Sequence, residues 1–354
     1  CMIVKNEEDV IGRCLECAKE VVDEIIIVDT GSTDSTVEIA KKYTSKIYNF
    51  EWVDDFAKAR NYSFSKATKD YIMWLDADDI IFEKDILELK QLKKTLDKSV
   101  DIVMMKYNVA FDEKNNPTLT YYRERLLSRR KNYQWISPIH EVISPYGNVI
   151  YSDIAIAHKK IHASDKSRNL KIFNKMIEEG ITLDARQQFY YARELYYHGE
   201  YEKSIEIFNN FLNSKQGWSE NCISACIDLS NCYTQLNDEN NALISLFRSF
   251  EFDKPRPEVS CKLGNYFLEK QQLENAIFWY KLAISVKPNL NNGGFYNEDY
   301  SGYIPYIQLC VCYDKIGDVE KAIYYNNKAG EIKPFSSSFL YNKRYFENKT
   351  KIPE

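Results

Sequence analysis

Histidine, methionine and tryptophan are scarce in this chain, at four, five and five among 354 residues. A histidine that falls at a patterned position therefore carries weight as a site candidate. Neither sign of charge dominates: 47 basic against 52 acidic residues leave a net charge of −5, which gives no sign of a basic face for nucleic acid or anionic lipid. No apolar run reaches the ~18 residues that span a bilayer, and no signal peptide opens the chain. The phosphate-binding pattern G-x-x-x-x-G-K-[ST] is absent, which excludes a P-loop. Cysteines number nine, an odd count, and mostly sit inside apolar patterns. This argues against a disulfide framework and for reduced thiols in the cytoplasm. Cys14-Leu-Glu-Cys17 has C-x-x-C spacing within a helical pattern, with neither Pro nor Gly between the thiols and no second pair nearby, so it reads as structural. The chain opens at Cys1-Met-Ile-Val in mid-strand, which points to a native N-terminus further upstream.

Aromatics are plentiful, with 27 Tyr and 18 Phe. They suit helix packing with wet hydroxyls, and sugar-handling clefts use them too. The length exceeds what one core usually supports and predicts two domains.

The stretch Tyr71-Ile-Met-Trp-Leu-Asp-Ala-Asp-Asp79 organises the first half. An apolar strand pattern ends in Asp76, Asp78 and Asp79, as a strand delivering charge to the carboxyl edge of a parallel sheet would. Asp76 and Asp78 are two apart, so at a strand end both could reach one hard cation; a solvated turn or helix cap is the other reading of such a triplet. Upstream, Cys1–Val4 and Glu24-Ile-Ile-Ile-Val-Asp29 read as buried strands. Asp29-Thr-Gly-Ser-Thr-Asp34 then supplies a Gly turn and a helix cap, with the helix expected from about Ser35 to Tyr43. A third strand covers Lys46–Phe50. The next helix, capped by Asp54 or Asp55, carries Arg60 and Asn61 and runs to Ala67. The β-α-β-α-β alternation predicts a nucleotide-type half-sheet.

Four motifs in this order, Met2-Ile-Val-Lys-Asn-Glu7, Val28-Asp-Thr-Gly-Ser-Thr-Asp-Ser-Thr36, Asp55-Phe-Ala-Lys-Ala-Arg-Asn61 and Trp74-Leu-Asp-Ala-Asp-Asp79, resemble family 2 glycosyltransferases of the GT-A fold. The resemblance continues at Arg123-Glu-Arg125, Arg129-Arg130, Trp135 to His140-Glu141, His158, and Lys166-Ser-Arg-Asn169. The whole is similar to the bacterial branch with a tetratricopeptide tail, which includes glycocin-type peptide S-glycosyltransferases. The fold so implied is an α/β GT-A domain, Rossmann-like with a mostly parallel sheet, over residues 1–165, and an all-α tetratricopeptide repeat domain over 166–354.

The resemblance implies roles. Asp29 would hydrogen-bond the donor's base and Glu7 would help hold the nucleoside; without the motifs in register, Asp29 reads as a turn former and Glu7 as a helix N-terminal acid. Asp76 and Asp78, with His158 as a third metal or phosphate ligand, would hold Mn²⁺ or Mg²⁺ on the diphosphate of a nucleotide-sugar, with a UDP-sugar favoured. Asp79 is expected outside that ligand set. Arg60 would contact the diphosphate or sugar, or else form a surface ion pair. Glu141 would be the base of an inverting transfer, or would position the donor sugar while the proton leaves elsewhere. His140 would hydrogen-bond the sugar or pack, with packing the favoured role. Arg123, Arg125 and Arg129 alternate on one strand face, either reaching the substrate, with Arg125 the favoured contact, or forming a charged edge. The sequence departs from the family after His158, where Lys159-Lys-Ile-His replaces Gly-Tyr, so closure over the donor is expected to differ. His162 and His198 receive no role.

In the second half, Ser204, Ala242, Ala276 and Ala322 recur in one turn-plus-helix unit, 38, 34 and 46 residues apart. Pro255, Pro288 and Pro334 close successive units, which is the tetratricopeptide pattern. The longest interval holds a polar insertion, Asn289 to Gly302. Such stacks leave a groove for a polypeptide or saccharide acceptor, or for a second copy in a homodimer. The expected function is metal-dependent transfer of a sugar to a peptide or protein; the alternatives are a saccharide or lipid acceptor, or a non-catalytic repeat scaffold.

Overall fold

The apolar runs at the start of the chain become three short parallel strands, β1 (Met2–Val4), β2 (Ile27–Asp29) and β3 (Ile47–Asn49), paired in that order. β2 is buried along its whole length, as expected for a strand covered on both faces. The computed structural model describes residues 1–112, 115–161, 165–286 and 297–349. Within them the chain forms two compact units, Cys1–Gly180 and Ile181–Glu354.

In the first unit, α1 (Ile11–Ala18) turns Ile11, Cys14, Leu15 and Ala18 into the core, an i, i+3, i+4, i+7 stripe. α2 (Thr36–Ala40) stops short of the expected Tyr43, because Lys42 and Tyr43 donate to carbonyls three residues back and the last turn tightens. α3 (Phe56–Ser65) is capped by Asp55, whose carboxylate accepts from the Lys58 amide at 2.9 Å. β4 (Tyr71–Met73) runs beside β1, since the Cys1 amino group donates to the Met73 carbonyl at 2.7 Å and the Leu75 amide donates to the Cys1 carbonyl at 3.3 Å.

The remaining elements are β5 (Asp79–Ile80), α4 (Glu83–Thr95), β6 (Ile102–Phe111), β7 (Pro117–Ser128), β8 (Trp135–Ile136), β9 (Val142–Ile143), β10 (Val149–His158) and α5 (Arg168–Glu178). A five-stranded sheet has the order β4-β7-β6-β10-β5, and β8 and β9 form a separate ribbon. The sheet is mixed, where a mostly parallel one was expected. Only β6 and β10 run parallel in the five-stranded sheet, because β6 returns through a tight connection to β7 and a hairpin can only pair antiparallel. The domain change was expected at 165/166, whereas the compact units divide after Gly180. α5 packs on the α/β unit: Arg168 lies 4.6 Å from the Phe56 ring, Lys175 pairs with Asp54 at 2.7 Å, and Phe173 stacks against His140.

The second unit consists of α6 (Ala185–Tyr197), α7 (Tyr201–Ser214), α8 (Ser219–Gln235), α9 (Glu239–Arg248), α10 (Pro257–Glu269), α11 (Leu273–Ser285), α12 (Tyr303–Ile316), α13 (Val319–Ile332) and α14 (Ser337–Lys349). The first eight pair as hairpins. Each hairpin turn holds one left-handed residue, Gly199, Asn237, Gln271 or Gly317, and the repeated small residues Ser204, Ala242, Ala276 and Ala322 are all buried. A small side chain at the helix crossing lets the two backbones approach. Of the polar insertion, residues 289–296 and also Pro288 and His162 lie outside the described residues. Its end forms a short 3₁₀ turn, Glu298–Ser301, tied down by the Asp299–Lys333 pair at 2.6 Å.

Gly264 in α10 shows how tight this packing is. A Cβ there would meet the ring of Tyr280 at 2.5 Å, and Tyr280 is fully buried with its hydroxyl donated to Asn265. Gly264→Ala is expected to lower the unfolding free energy by about 1–3 kcal/mol through overpacking, even though alanine gains about 1 kcal/mol of helix propensity. Urea denaturation followed by circular dichroism checks this, and a stabilised variant would show that the ring can move aside.

Candidate active site

The acidic turn begins where β4 ends. Trp74 and Leu75 carry the chain inward as buried residues, and Asp76 to Asp79 then cross the sheet edge into β5. Pairing of β5 with β10 sets His158 directly opposite Asp79. His158 Nδ1 lies 3.1 Å from Asp78 Oδ1 and 3.4 Å from Asp79 Oδ1, and one ligand atom from each of the three falls within 4.8 Å of the others. Burial by itself would lower the His158 pKa. Hydrogen bonds and charge from the two carboxylates outweigh it and push the imidazole up to about 10.

Asp79 is fully buried and saturated by the protein. Its Oδ1 accepts from the Tyr107 hydroxyl at 2.9 Å, and its Oδ2 accepts from Arg125 and from the Asp76 amide, both at 3.0 Å. Arg125 is equally buried, with its guanidinium carbon 3.6 Å from the centre of the Trp74 ring and 4.1 Å from that of Tyr107. Arg125 is not among the residues lining the cavity described below and acts on the turn from behind. It sits at a bulge, where Val103 and Met104 pair with Leu126 and Glu124 and skip it. Arg129 has left the strand for a 3₁₀ turn and donates to the Lys69 carbonyl. The arginines expected on one strand face therefore divide into three environments, because the bulge and the turn break the alternation.

Arg60, on the second turn of α3, joins the two halves of the site. It donates to Asp76 at 2.8 Å and through Nε to Glu141 at 2.7 Å, and its guanidinium lies about 5 Å from each of the rings of Trp74 and Trp135, which meet edge to face. Burial pushes the Asp76 carboxyl up. The charges of Arg60 and Arg125 and the Arg60 hydrogen bond overcome this and hold it at about 2. Glu141 is delivered by the segment between β8 and β9, which α3 clamps: Phe56 N–H donates to the Pro138 carbonyl at 2.7 Å, and Asn61 bonds both the amide and the carbonyl of Trp135. His140 and Ser137 adopt left-handed backbone angles to make the bend. His140 stacks against Phe173 and also borders the cavity described next.

These side chains line a cavity of about 250 Å³ bounded by Arg60, Trp74, Asp76, Tyr107, Val109, Tyr121, Arg123, His140, Glu141 and His158. Trp74, Tyr107 and Tyr121 were not singled out as lining residues from the sequence, whereas Arg123 was a candidate through its strand alternation; the same alternation in the long strands β6 and β7 is the signal that could have found Tyr107 and Tyr121. At the ends of β1 and β2, Asp29 accepts from the amides of Gly31 and Ser32, and Glu7 lies at the neighbouring loop with its amide donated to Thr36. Asn6, Glu8 and Asp34 stitch this loop to the Gly31 turn. Neither Glu7 nor Asp29 lines the cavity.

The donor set suits a hard divalent cation. Asp78 and His158 have free coordination capacity once the histidine proton leaves, whereas Asp79 is already committed to three donors and holds the other two in place. Asp76, expected as a ligand beside Asp78, is engaged by Arg60.

Metal-free protein should reveal the histidine by its stability. The folded pKa of His158 is raised, so its contribution is complete below an unfolded pKa near 6.5 and is lost as pH rises toward about 10. The wild type should lose on the order of 2 kcal/mol relative to His158→Gln between about pH 6.5 and 10. Parallel stability profiles of the two in urea, with chelator present, would contradict this.

The chain thus joins an α/β unit, with a charged turn at the edge of its sheet, to a unit of helical hairpins. Residues 1–154 match the family described as Glycosyl transferase family 2 and residues 257–290 match the Tetratricopeptide repeat; the first unit carries a family 2 glycosyltransferase domain and the second carries tetratricopeptide repeats. The chain is 37% identical over 145 residues to a TPR repeat-containing protein of Synechococcus elongatus, covering 40% of this chain and 34% of that one. It is 25% identical over 232 residues to the SPbeta prophage-derived glycosyltransferase SunS of Bacillus subtilis, covering 62% and 54%. A Rickettsia felis protein described as an uncharacterized glycosyltransferase is 26% identical over 220 residues, covering 61% and 67%. The chain thus spans between about a third and a half of the length of the first two of these relatives. Among the described residues no helix is long and apolar enough to cross a membrane.

Proposed function

We propose that the protein is a metal-dependent inverting glycosyltransferase that moves a sugar from a nucleotide-sugar, a UDP-sugar by family resemblance, to a polypeptide acceptor. The observation that carries this reading is the Asp76–Arg60–Glu141 chain, which places a cationic group and a carboxylate on the wall of one cavity beside Asp78 and His158. A bound Mn²⁺ or Mg²⁺ would neutralise charge on the leaving diphosphate, and Asp78 and His158 are the residues to hold it, with Asp76 at its edge. Glu7 and Asp29 would seat the nucleoside at the ends of β1 and β2. Arg60 holds Glu141 in one orientation, where its carboxylate takes the proton from the attacking acceptor group. Arg123, with Trp74, forms the wall against which the donor sugar lies.

The acceptor assignment rests on the repeat unit, since stacked helical hairpins present an extended surface suited to a peptide, or to a second copy of the chain. The nine cysteines are all free, which fits action in the reducing cytoplasm.

The test is donor hydrolysis and thermal stabilisation with UDP-, GDP- and dTDP-sugars, with and without Mn²⁺, on wild type and Asp78→Ala. One nucleotide-sugar should stabilise the protein only with metal, and Asp78→Ala should abolish the effect. No response from any donor on the wild type would overturn the reading in favour of a repeat scaffold.

A further inference from the structure

The pair Cys14 and Cys17 is tied to both ends of the acidic turn. Cys14 Sγ donates to the carbonyl of Asp76 at 3.4 Å, and Cys17 Sγ accepts from the amide of Ile81 at 3.3 Å. The Asp76 carbonyl receives the Asp79 amide as well, at 3.0 Å. One helical turn of α1 therefore grips the first residue of the turn and the residue just beyond its last acid. Cys17 Sγ also donates to the carbonyl of Cys14, at 3.1 Å. Cys14 is completely buried, whereas Cys17 is half-buried at the C-terminal turn of α1. Residues three apart on a helix have Cβ atoms about 5–6 Å apart, and a disulfide needs about 3.5–4.5 Å, so a small adjustment of a last helical turn brings them together.

We propose that Cys14 and Cys17 form a thiol-oxidation site whose closure to a disulfide releases the acidic turn. The oxidant is a hydroperoxide. The Cys17 thiolate attacks the peroxide oxygen, breaking the O–O bond and giving a sulfenic acid with loss of one water (or alcohol). The Cys14 sulfur then attacks the Cys17 sulfur, its proton leaves with the hydroxyl as water, and the S–S bond forms. Two thiols are oxidised and one peroxide is reduced. In the product Cys14 has no proton to donate to Asp76, and Cys17 has moved off the Ile81 amide. The neighbouring Cys14 side chain, together with the Ile81 amide, outweighs burial and holds the Cys17 thiol down to about 7, and with the partial exposure of Cys17 this makes it the attacking sulfur. The burial and partnering of Cys14 push its thiol up, as suits the resolving partner. The sequence pattern alone reads as structural because nothing in it shows what the two thiols touch. Down-regulation of sugar transfer by this closure rests on the proposed function; the release of the turn does not.

The experiment needs neither donor, acceptor nor metal. The full chain is treated with hydrogen peroxide or dithiothreitol, the Cys14–Cys17 peptide is mapped by alkylation and mass spectrometry, and amide exchange is followed over residues 76–81. Oxidation should protect both cysteines from alkylation with loss of two hydrogens and speed exchange at the Ile81 amide roughly tenfold, as expected for one lost hydrogen bond; dithiothreitol should reverse both changes. Cys17→Ser should be insensitive to peroxide, and Cys14→Ser serves as the second variant if the first folds poorly. Thiols that remain alkylatable in peroxide, or a closed disulfide with unchanged exchange over 76–81, would overturn the proposal.

Discussion

Replacing Arg125 by alanine is expected to lower the unfolding free energy of the first unit by about 3–5 kcal/mol, the cost of breaking a fully buried ion pair from one side. Arg125 and Asp79 have no exposed side-chain surface and meet at 3.0 Å. Without the arginine the Asp79 charge keeps the Tyr107 hydroxyl, the Asp76 amide and the more distant His158 imidazole at 3.4 Å as partners, and loses its closest cation in a site that water does not reach. Two guanidinium nitrogens of Arg125 have no hydrogen-bond partner among the described residues. The arginine therefore stabilises through charge and through its stacking between Trp74 and Tyr107 more than through a complete hydrogen-bond set. Asp79→Asn in the Arg125→Ala background should recover part of the loss, because it removes a buried charge that has lost its arginine partner. Urea denaturation of the single and double variants decides it. If the double variant is no better than the single, the packing of the guanidinium against the rings carries the effect.

Glu141→Gln is expected to lower kcat by about 10²–10⁴-fold, the usual contribution of a general base, and to leave donor KM within a few-fold. Glutamine has the same shape and its carbonyl can still accept from Arg60, so the 2.7 Å contact and the position of Arg60 over the two tryptophans survive the change. What it removes is proton affinity. A raised donor KM with kcat within tenfold of wild type would instead assign Glu141 to holding the donor sugar, with the acceptor proton leaving elsewhere.

Much of this site is legible in the chain itself. The strand run from Tyr71 into Asp76, Asp78 and Asp79, the Asp55 cap with Arg60 one turn on, and the recurrence of Ser204, Ala242, Ala276 and Ala322 are local patterns. Period-2 and period-3.6 burial, and a single capping hydrogen bond, act within a few residues of one another and leave their mark in the order of residues. A charged triplet at a strand end is also visible, but how its three carboxylates divide their work is not. The pattern favours Asp76 with Asp78, and the structure instead pairs Asp76 with Arg60 and gathers Asp78 and Asp79 on His158.

The sequence by itself determined the two-unit organisation, the parallel half-sheet, the acidic turn, the repeat period and the residue types available for chemistry, because each rests on near-neighbour periodicity. Only the tertiary structure decided which of those residues meet. His158 reaches the acidic turn through the register of β10 on β5, 79 residues apart; Glu141 reaches Arg60 through the clamp of α3 on the β8–β9 segment, 81 residues apart. Arg125 is turned from an expected substrate contact into a buried counter-ion at a bulge, and Cys14 and Cys17 are placed under the turn. Strand register, bulges and helix docking come from packing summed over the whole core, so they carry no signature at the positions they bring together.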